Sequence, residues 1–481
     1  MPIANYQTPG VYVTQGPNPS VASVGVAGLN ICFFGWVPSG NLPTATQSDT
    51  FQYTVASGGV QTFTLSQSGT VTNFSVANAT TGASISQVGN YTVPTTVSGV
   101  TTFSTISGSN NWVQNQTWVR ATYKYSTCVP GVYYKFTNFN AVQNVFGPAF
   151  TYTNGSPQIA SPNTLAAFLA FQNGAQSVTC INIASVSGST SDYLTTIQSG
   201  AGSDAFDIIV PLVYDTSYNT QSTGSLFGGI AQFLDAQAKN SIFQRAFIGM
   251  DSSVTNLINT SSSIATDTYS TRMTLAAPQV MTYNPGINST TGLTTGTTQI
   301  PGYYLAAALA GLFVGQAGVQ VPITNKQVGG FVGVPNQISA SNSTTLQSYG
   351  VTVARQNNNG TIIVRQGMTT NTSNWITQEL SIQAIGDVLA TTLETNLTNS
   401  NLIGSPITAL TFTTLQSYVN AILQQAVTTG LIQAFTTPTY SQNPNNLTEI
   451  DVAFQYSPTL PLNYINVALS INTSTGALAV I

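Results

Sequence analysis

Histidine is absent from all 481 residues of the chain. That absence removes Ser-His and Cys-His nucleophilic pairs, the imidazole general base and most zinc sites. Charge is nearly as scarce. Asp, Glu, Lys and Arg make up 5% of the residues, about a fifth of the roughly 25% usual in soluble proteins. The nine Lys and Arg residues are scattered, so no basic stripe exists to neutralise phosphates, and nucleic-acid binding is not expected. The three cysteines, Cys32, Cys128 and Cys180, are odd in number and lack Cys-x-x-Cys spacing. They read as free buried thiols of a reducing compartment, with one disulfide plus a spare thiol as the alternative. No basic segment followed by an apolar core opens the chain, so no secretory signal is expected. The longest apolar run, Tyr303 to Val314, falls short of the roughly 20 residues that cross a bilayer and predicts a buried helix instead.

What the chain has in quantity is hydrophobic residues, at 42%, and neutral polar ones. The length allows a large core and roughly three domains. Ser, Thr, Asn and Gln cost much less to desolvate than ions, so wide surfaces can be buried between subunits without pairing charges. Asp204 and Asp207 flank Phe206 just before the apolar run Ile208 to Val213. Such a pair could hold a metal or act as acid and base, but a polar turn feeding a buried strand is the plainer reading. No catalytic, cofactor or metal site is predicted, and no G-x-x-x-x-G-K-[ST] phosphate loop occurs. The Asn-x-Ser/Thr triplets at Asn78, Asn115, Asn259, Asn288 and Asn396 follow from composition.

Along the chain, Val11, Tyr12 and Val13 form a short strand-like segment between Pro9-Gly10 and Gly16-Pro17. A single short strand needs a ready-made edge, its own or a neighbour's. Leu462 to Ile471 alternates Ile465, Val467, Leu469 and Ile471 against Asn466, Ala468 and Ser470, and reads as a second peripheral strand. Ala477 to Ile481 is bare hydrophobic sequence, which calls for burial. From about Thr46 to Thr127, short alternating runs separated by turn signals predict an inserted all-β module. From Pro130 onward strands and helices alternate, which predicts a mostly parallel, helix-flanked sheet. The tail carries a hairpin across Asn357 to Gly360 and two amphipathic helices, Ser381 to Leu397 and Leu415 to Leu431. The domain reading is 1–20 as an N-terminal arm, 21–45 with 128–340 as an α/β core, 46–127 as the β module, 341–460 as an α+β domain and 461–481 as a C-terminal arm.

The order of these landmarks resembles the tail sheath proteins of contractile bacteriophages and related injection machines. The matching pieces include Thr8 to Val13, Phe33 to Gly35, Phe136 to Gly147, Asn163 to Gly174 and Asp207 to Pro211. Further matches are Arg272 to Pro278, Pro301 to Val319, Gly350 to Arg355, Arg365 to Thr369, Trp375 and Pro458 to Val467. The resemblance implies a subtilisin-like α/β core and a C-terminal domain completed by strands from neighbours. It implies that Gly10, Val11, Tyr12, Val13, Thr14 and Gln15, with Ile465, Asn466, Val467, Ala468, Leu469, Ser470 and Ile471, are exchanged between subunits. It also implies a helical homopolymer around a tail tube protein, in contact with baseplate and tail terminator proteins, without a cofactor, nucleic acid or membrane insertion. The place would be the contractile tail of the virion, assembled in the host cytoplasm. By the same analogy the helix bearing Leu415, Val419, Ile422, Gln425 and Leu431 would face the tube.

The scarcity of charge departs from the charged patches common in that family, and predicts neutral contacts with weak salt dependence. A secreted surface-layer or adhesin-type protein is the alternative that the Thr/Ser/Asn-rich segment suits, although it lacks the expected signal. A hydrolase on the α/β domain is a third reading, and the missing histidine forbids its usual triad.

Overall fold

The computed structural model describes residues 29–55, 59–67, 71–97, 100–109, 111–185, 187–200, 206–218, 225–286, 296–400, 402–463, 469–471 and 478–480. They form two compact units. The first comprises the described residues up to Phe34, those of Ala166–Thr179 and those from Ser189 on; the second comprises those of Gly35–Leu165 and Cys180–Gly188.

In the first unit the strand order is Ile362–Val364, Val351–Gln356, Met273–Ala277, Arg245–Gly249, Ile208–Pro211, Ile31–Gly35. Every neighbouring pair is parallel except the first, which closes antiparallel as Ala354 opposite Val364. The mostly parallel sheet predicted from the α/β alternation is therefore present. In the strands Ile31–Gly35, Ile208–Pro211, Arg245–Gly249 and Met273–Ala277 every residue is buried, as strands covered on both faces must be.

The apolar run Tyr303–Val314 is a helix, buried along nearly its whole length. It lies against the strands Ile208–Pro211, Arg245–Gly249 and Met273–Ala277. Leu305 and Leu309 are fully buried, each worth about 1.5–3 kcal/mol of transfer free energy. Two glycines let this helix pack closely, Gly249 against the sheet and Gly311 against the helix that holds Ala170. A Cβ on Gly249 would meet the Tyr303 Cα at 2.5 Å, and one on Gly311 would meet the Ala170 Cα at 2.6 Å. No helix of the described residues is long and apolar enough to cross a membrane.

The predicted break at 340/341 is not where the chain divides. Val351–Gln356 belongs to the parallel sheet, paired as Leu275 opposite Val351, because Val351 to Ala354 are buried apolar and threonine residues that only an interior position can accommodate. The segment that follows the predicted break is the helix Ala340–Ser348; the Ser339 hydroxyl accepts the Asn342 N–H at its start, and local caps substitute for an apolar pattern. The helix Leu380–Asn399 buries Ile382, Ile385, Leu389 and Leu393 as predicted and leaves Leu397 half-buried.

The second unit contains the strand-rich segment. Thr44–Gln52 runs antiparallel to Trp118–Ser126 from Thr44 opposite Ser126 to Gln52 opposite Trp118. Val71–Asn78 pairs with the far side of Trp118–Ser126 and then with Ser84–Ile85. Thr62–Thr64, Val100–Ser104 and Thr95–Val97 make a separate three-stranded sheet. The aromatic core includes Tyr53, Phe63, Phe103, Trp112 and Tyr123, with Phe63 and Phe103 ring centroids 5.1 Å apart. The compact unit is larger than the predicted 46–127. It also holds the helix Phe139–Phe146 and the hairpin Phe150–Thr153 with Ser156–Ile159.

Asn163, where one of the family-like segments begins, lies inside a helix rather than capping it. The helix runs Pro162–Gln172, the Ser161 hydroxyl accepts the Thr164 N–H, and Asn163 donates to the carbonyls of Gly35 and Ile181. Proline at the first helical position explains the earlier start.

Candidate intersubunit surfaces

Gly10, Val11, Tyr12, Val13, Thr14 and Gln15 lie outside the described residues, as do Ile465, Asn466, Val467 and Ala468. Leu469, Ser470 and Ile471 form a strand. It pairs antiparallel with Leu478–Val480 of the same chain, Leu469 opposite Val480 and Ile471 opposite Leu478. That ladder has two strands, the size that is marginal without further pairing. Three more ladders of this kind stand in the same unit: Val280–Tyr283 with Thr298–Pro301, Ile432–Phe435 with Tyr456–Pro458, and Thr439–Gln442 with Ile450–Ala453.

The proposed tube-facing residues need correction. The helix is Ala409–Thr428, begun by a reciprocal cap between Thr408 and Thr411, so Leu431 lies beyond its end. Val419, Ile422 and Leu431 are buried within the subunit and Leu415 is half-buried; of the five, Gln425 is exposed. The apolar stripe read from the sequence is the inward face, since a periodic apolar set is the one a helix packs on its own core. The outward face carries Leu410, Thr413, Ser417, Ala421, Gln424 and Thr428. None of these six is ionisable; Tyr418 on the same helix is also exposed.

Several charges of the first unit are buried, while Asp235, Lys239, Lys326, Glu449 and Asp451 are exposed. Arg245 and Arg272 both donate to Asp387, at 2.5 and 2.7 Å, with all three side chains at most 6% exposed. Arg245 opens one strand, Arg272 precedes the next, and Asp387 sits on the helix Leu380–Asn399, so one carboxylate pins that helix to two strands. Burial pulls the Arg245 guanidinium below its ordinary range, with Asp387 opposing and Arg272 adding to the fall. A cavity of about 140 Å³ beside this group is lined by Leu29, Asp207, Phe243, Arg245, Asp387 and Thr391 among others. Of the two acids singled out in the sequence, Asp204 lies outside the described residues, and Asp207 accepts the Asn30 N–H at 2.7 Å, a structural tie at the start of a buried strand. The three cysteines are free and buried; burial pushes Cys128 up to about 12 and raises Cys180 as well, so neither is a ready nucleophile.

A groove of about 560 Å³ runs between the helix Ala340–Ser348, the short helix Trp375–Gln378 and the segment Leu460 to Asn463. At its base Glu379 is 3% exposed. Its carboxylate accepts from Gln366 Nε2 at 3.0 Å, Asn463 Nδ2 at 3.0 Å and Ser381 Oγ at 3.2 Å. Burial raises its pKa, and these hydrogen bonds only partly offset the rise. Over it stand Trp375, 61% exposed, and Leu462, 77% exposed. Sequence reading marked Trp375 only as a landmark and missed Glu379 and Asp387. The nearness of an acid to a tryptophan in the chain, Glu379 to Trp375, was the available signal.

No family model matches the chain. Its fold is nevertheless that of contractile sheath subunits. It superposes on a chain of the anti-feeding prophage (AFP) baseplate with a TM-score of 0.55, over 98% of this chain and 100% of the other, at 12% identity. On the AFP helical sheath in the contracted state the TM-score is 0.54, over 97% and 100%, at 11% identity. On the contracted sheath complex of the extracellular contractile injection system PVC it is 0.51, over 72% and 89%, at 12% identity. In sequence, the chain is 28% identical over 363 residues to the "Tail sheath protein" of Mycobacterium phage Bxz1, across 74% of its own length. It spans 59% of the length of that curated relative. The chain thus resembles the tail sheath family in both sequence and fold.

Proposed function

We propose that this protein is a structural subunit of a contractile tail sheath, polymerising as a helical sleeve around a tail tube and contracting to drive that tube through a host envelope. The observation that carries the reading is the whole-length likeness to the AFP helical sheath in its contracted state, joined to the sequence relation to a phage tail sheath protein. The role is mechanical rather than catalytic. Extended and contracted arrays would differ in how subunits pack, so the work comes from a metastable lattice.

Gly10 to Gln15 and Ile465 to Ile471 are the strands exchanged between neighbours. Heterologous contacts that do not close on themselves build open helices, and strand addition gives each contact direction. The two-stranded ladders of the first unit support this reading, because each presents edges that another strand can extend. The other partners are a tail tube protein, a baseplate and a tail terminator. The place is the virion tail, with assembly in the host cytoplasm. The outward face of Ala409–Thr428 takes the tube-facing role in place of the buried stripe.

Negative-stain electron microscopy of the purified protein tests the proposal. Rods or sleeves are expected; flat lattices or dispersed monomers overturn it. Sleeve yield should change less than about threefold between 50 and 500 mM salt, as neutral contacts require.

A further inference from the structure

The strand Trp118–Ser126 is an interior strand of its sheet, paired with Thr44–Gln52 on one side and Val71–Asn78 on the other. Side chains alternate across a strand, and burial alternates with them: Val119, Ala121 and Tyr123 are buried, whereas Trp118, Arg120 and Lys124 are exposed. Residues 44–126 carry three charged side chains, Asp49, Arg120 and Lys124. The register sets Asp49 opposite Ala121, on the face that holds the aromatic core. There its carboxylate accepts from the Ser66 hydroxyl at 2.6 Å, the Ser66 N–H at 2.7 Å and the Tyr123 hydroxyl at 2.7 Å. Both cations therefore share the open face, and no acid of the segment stands with them. The rest of that face is neutral: Thr50 and Ala77 lie opposite Arg120, and Ser48 and Ser75 lie opposite Thr122.

Such a face complements an anion, and its layout selects the class of anion. The backbone of Trp118–Ser126 is paired on both sides, so an incoming peptide finds no edge there to extend. Arg120 and Lys124 stand about 14 Å apart, at roughly 3.4 Å per residue along the strand. A nucleic-acid strand carries a phosphate every ~3.4 Å, so most of its charges would go unmatched. Carboxylates spaced by uncharged sugar rings fit the sparse cations, and the flanking hydroxyls both donate to and accept from sugar hydroxyls. Trp118, 43% exposed, offers an apolar ring with a polar N–H at its rim, a surface on which the C–H face of a sugar can stack. We infer that this open face binds an acidic polysaccharide laid along Trp118–Ser126, with Trp118 stacked on a sugar ring and Arg120 and Lys124 meeting carboxylates. The inference does not depend on the sleeve reading; in a sleeve, repetition of the face adds avidity.

The chain carries a net charge of −4, so a polyanion repels it as a whole and retention must come from a local patch. The test passes the full-length protein over immobilised polygalacturonate and over neutral dextran. Retention on polygalacturonate at low salt, its loss by about 0.3 M salt, and none on dextran are expected. Arg120→Gln combined with Lys124→Gln should weaken retention about tenfold, and Trp118→Ala about fivefold, with unchanged far-ultraviolet circular dichroism. Lys326→Gln, an exposed cation of the other unit, should change nothing. No retention, equal retention on dextran, or an equal loss with Lys326→Gln overturns the inference. Stronger retention on anionic phospholipid vesicles or on polyglutamate overturns it too, because the face then serves another class of partner. Loss of sleeves in the Arg120→Gln, Lys124→Gln variant assigns the face to contacts between copies and has the same effect. A protein that binds polygalacturonate and forms no sleeves upholds the inference and overturns the sleeve reading alone.

Discussion

The two compact units differ in what their interiors hold. In the strand-rich unit Arg120 and Lys124 are exposed, and the interior is a cluster of rings, Phe74 and Phe103 lying 5.0 Å apart. In the other unit Arg245, Arg272, Asp387 and Glu379 are all buried. An aromatic core is indifferent to direction and tolerates volume-conserving change. Two guanidinium groups sharing one carboxylate are not indifferent: the geometry must be met or a charge is stranded. The second arrangement fixes how a helix sits on a sheet.

Substitutions separate the two cases. Asp387→Ala leaves two buried cations without their partner and should cost about 3–5 kcal/mol, read by urea denaturation of the first unit. A loss below about 1 kcal/mol would show that the triad is not holding the helix. Phe103→Ala should cost about 3–4 kcal/mol, and the loss should appear in the transition of the strand-rich unit alone. One shared shift of both transitions would break the comparison. Gly311→Ala drives a methyl against the Ala170 backbone and should cost about 1–3 kcal/mol without changing the near-ultraviolet signal of the strand-rich unit.

The smallest effect concerns pH. Burial raises the Glu379 pKa, so the stability this group contributes is present below its ordinary value of 4.5 and is lost as pH rises through the raised one. Asp49 runs the other way. Burial alone would raise it, but hydrogen bonds from Ser66, Tyr123 and Gln47 outweigh that and hold it low. Its contribution is present above its ordinary value of 3.8 and is lost as pH falls below it. Glu379→Gln should therefore be neutral or slightly stabilising at pH 7, by no more than about 1 kcal/mol, with the gain shrinking toward pH 4.5. A gain that grows on acidification would contradict the burial of Glu379.

The strands of the β segment were legible because their pattern is local: Thr44–Gln52 and Trp118–Ser126 alternate residue by residue. The buried strands were legible as short apolar runs. The helix Leu257–Thr268 was missed because Ser and Thr fill its surface and hide the period, although Asn256 caps it with a hydrogen bond from Asn259. The hairpin at Phe150–Ile159 was overlooked although Asn154-Gly155 stands at its turn, a strong short-range hairpin signal. The charged triad could not be read at all. Arg245, Arg272 and Asp387 are brought together only by the parallel sheet and the helix laid across its strands, and nothing in their spacing announces it. The tube-facing stripe was misassigned for a related reason, because periodicity reveals an apolar face and not what covers it.

The hydrogen bond from Asn463 to Glu379 joins the root of residues 464–481 to the residue that begins the helix Leu380–Asn399. Two turns along that helix Asp387 grips the leading ends of two sheet strands. In the sleeve proposed above, a pull on the tail of one molecule would reach the parallel sheet through these side-chain links and one helix, without first unravelling a loop.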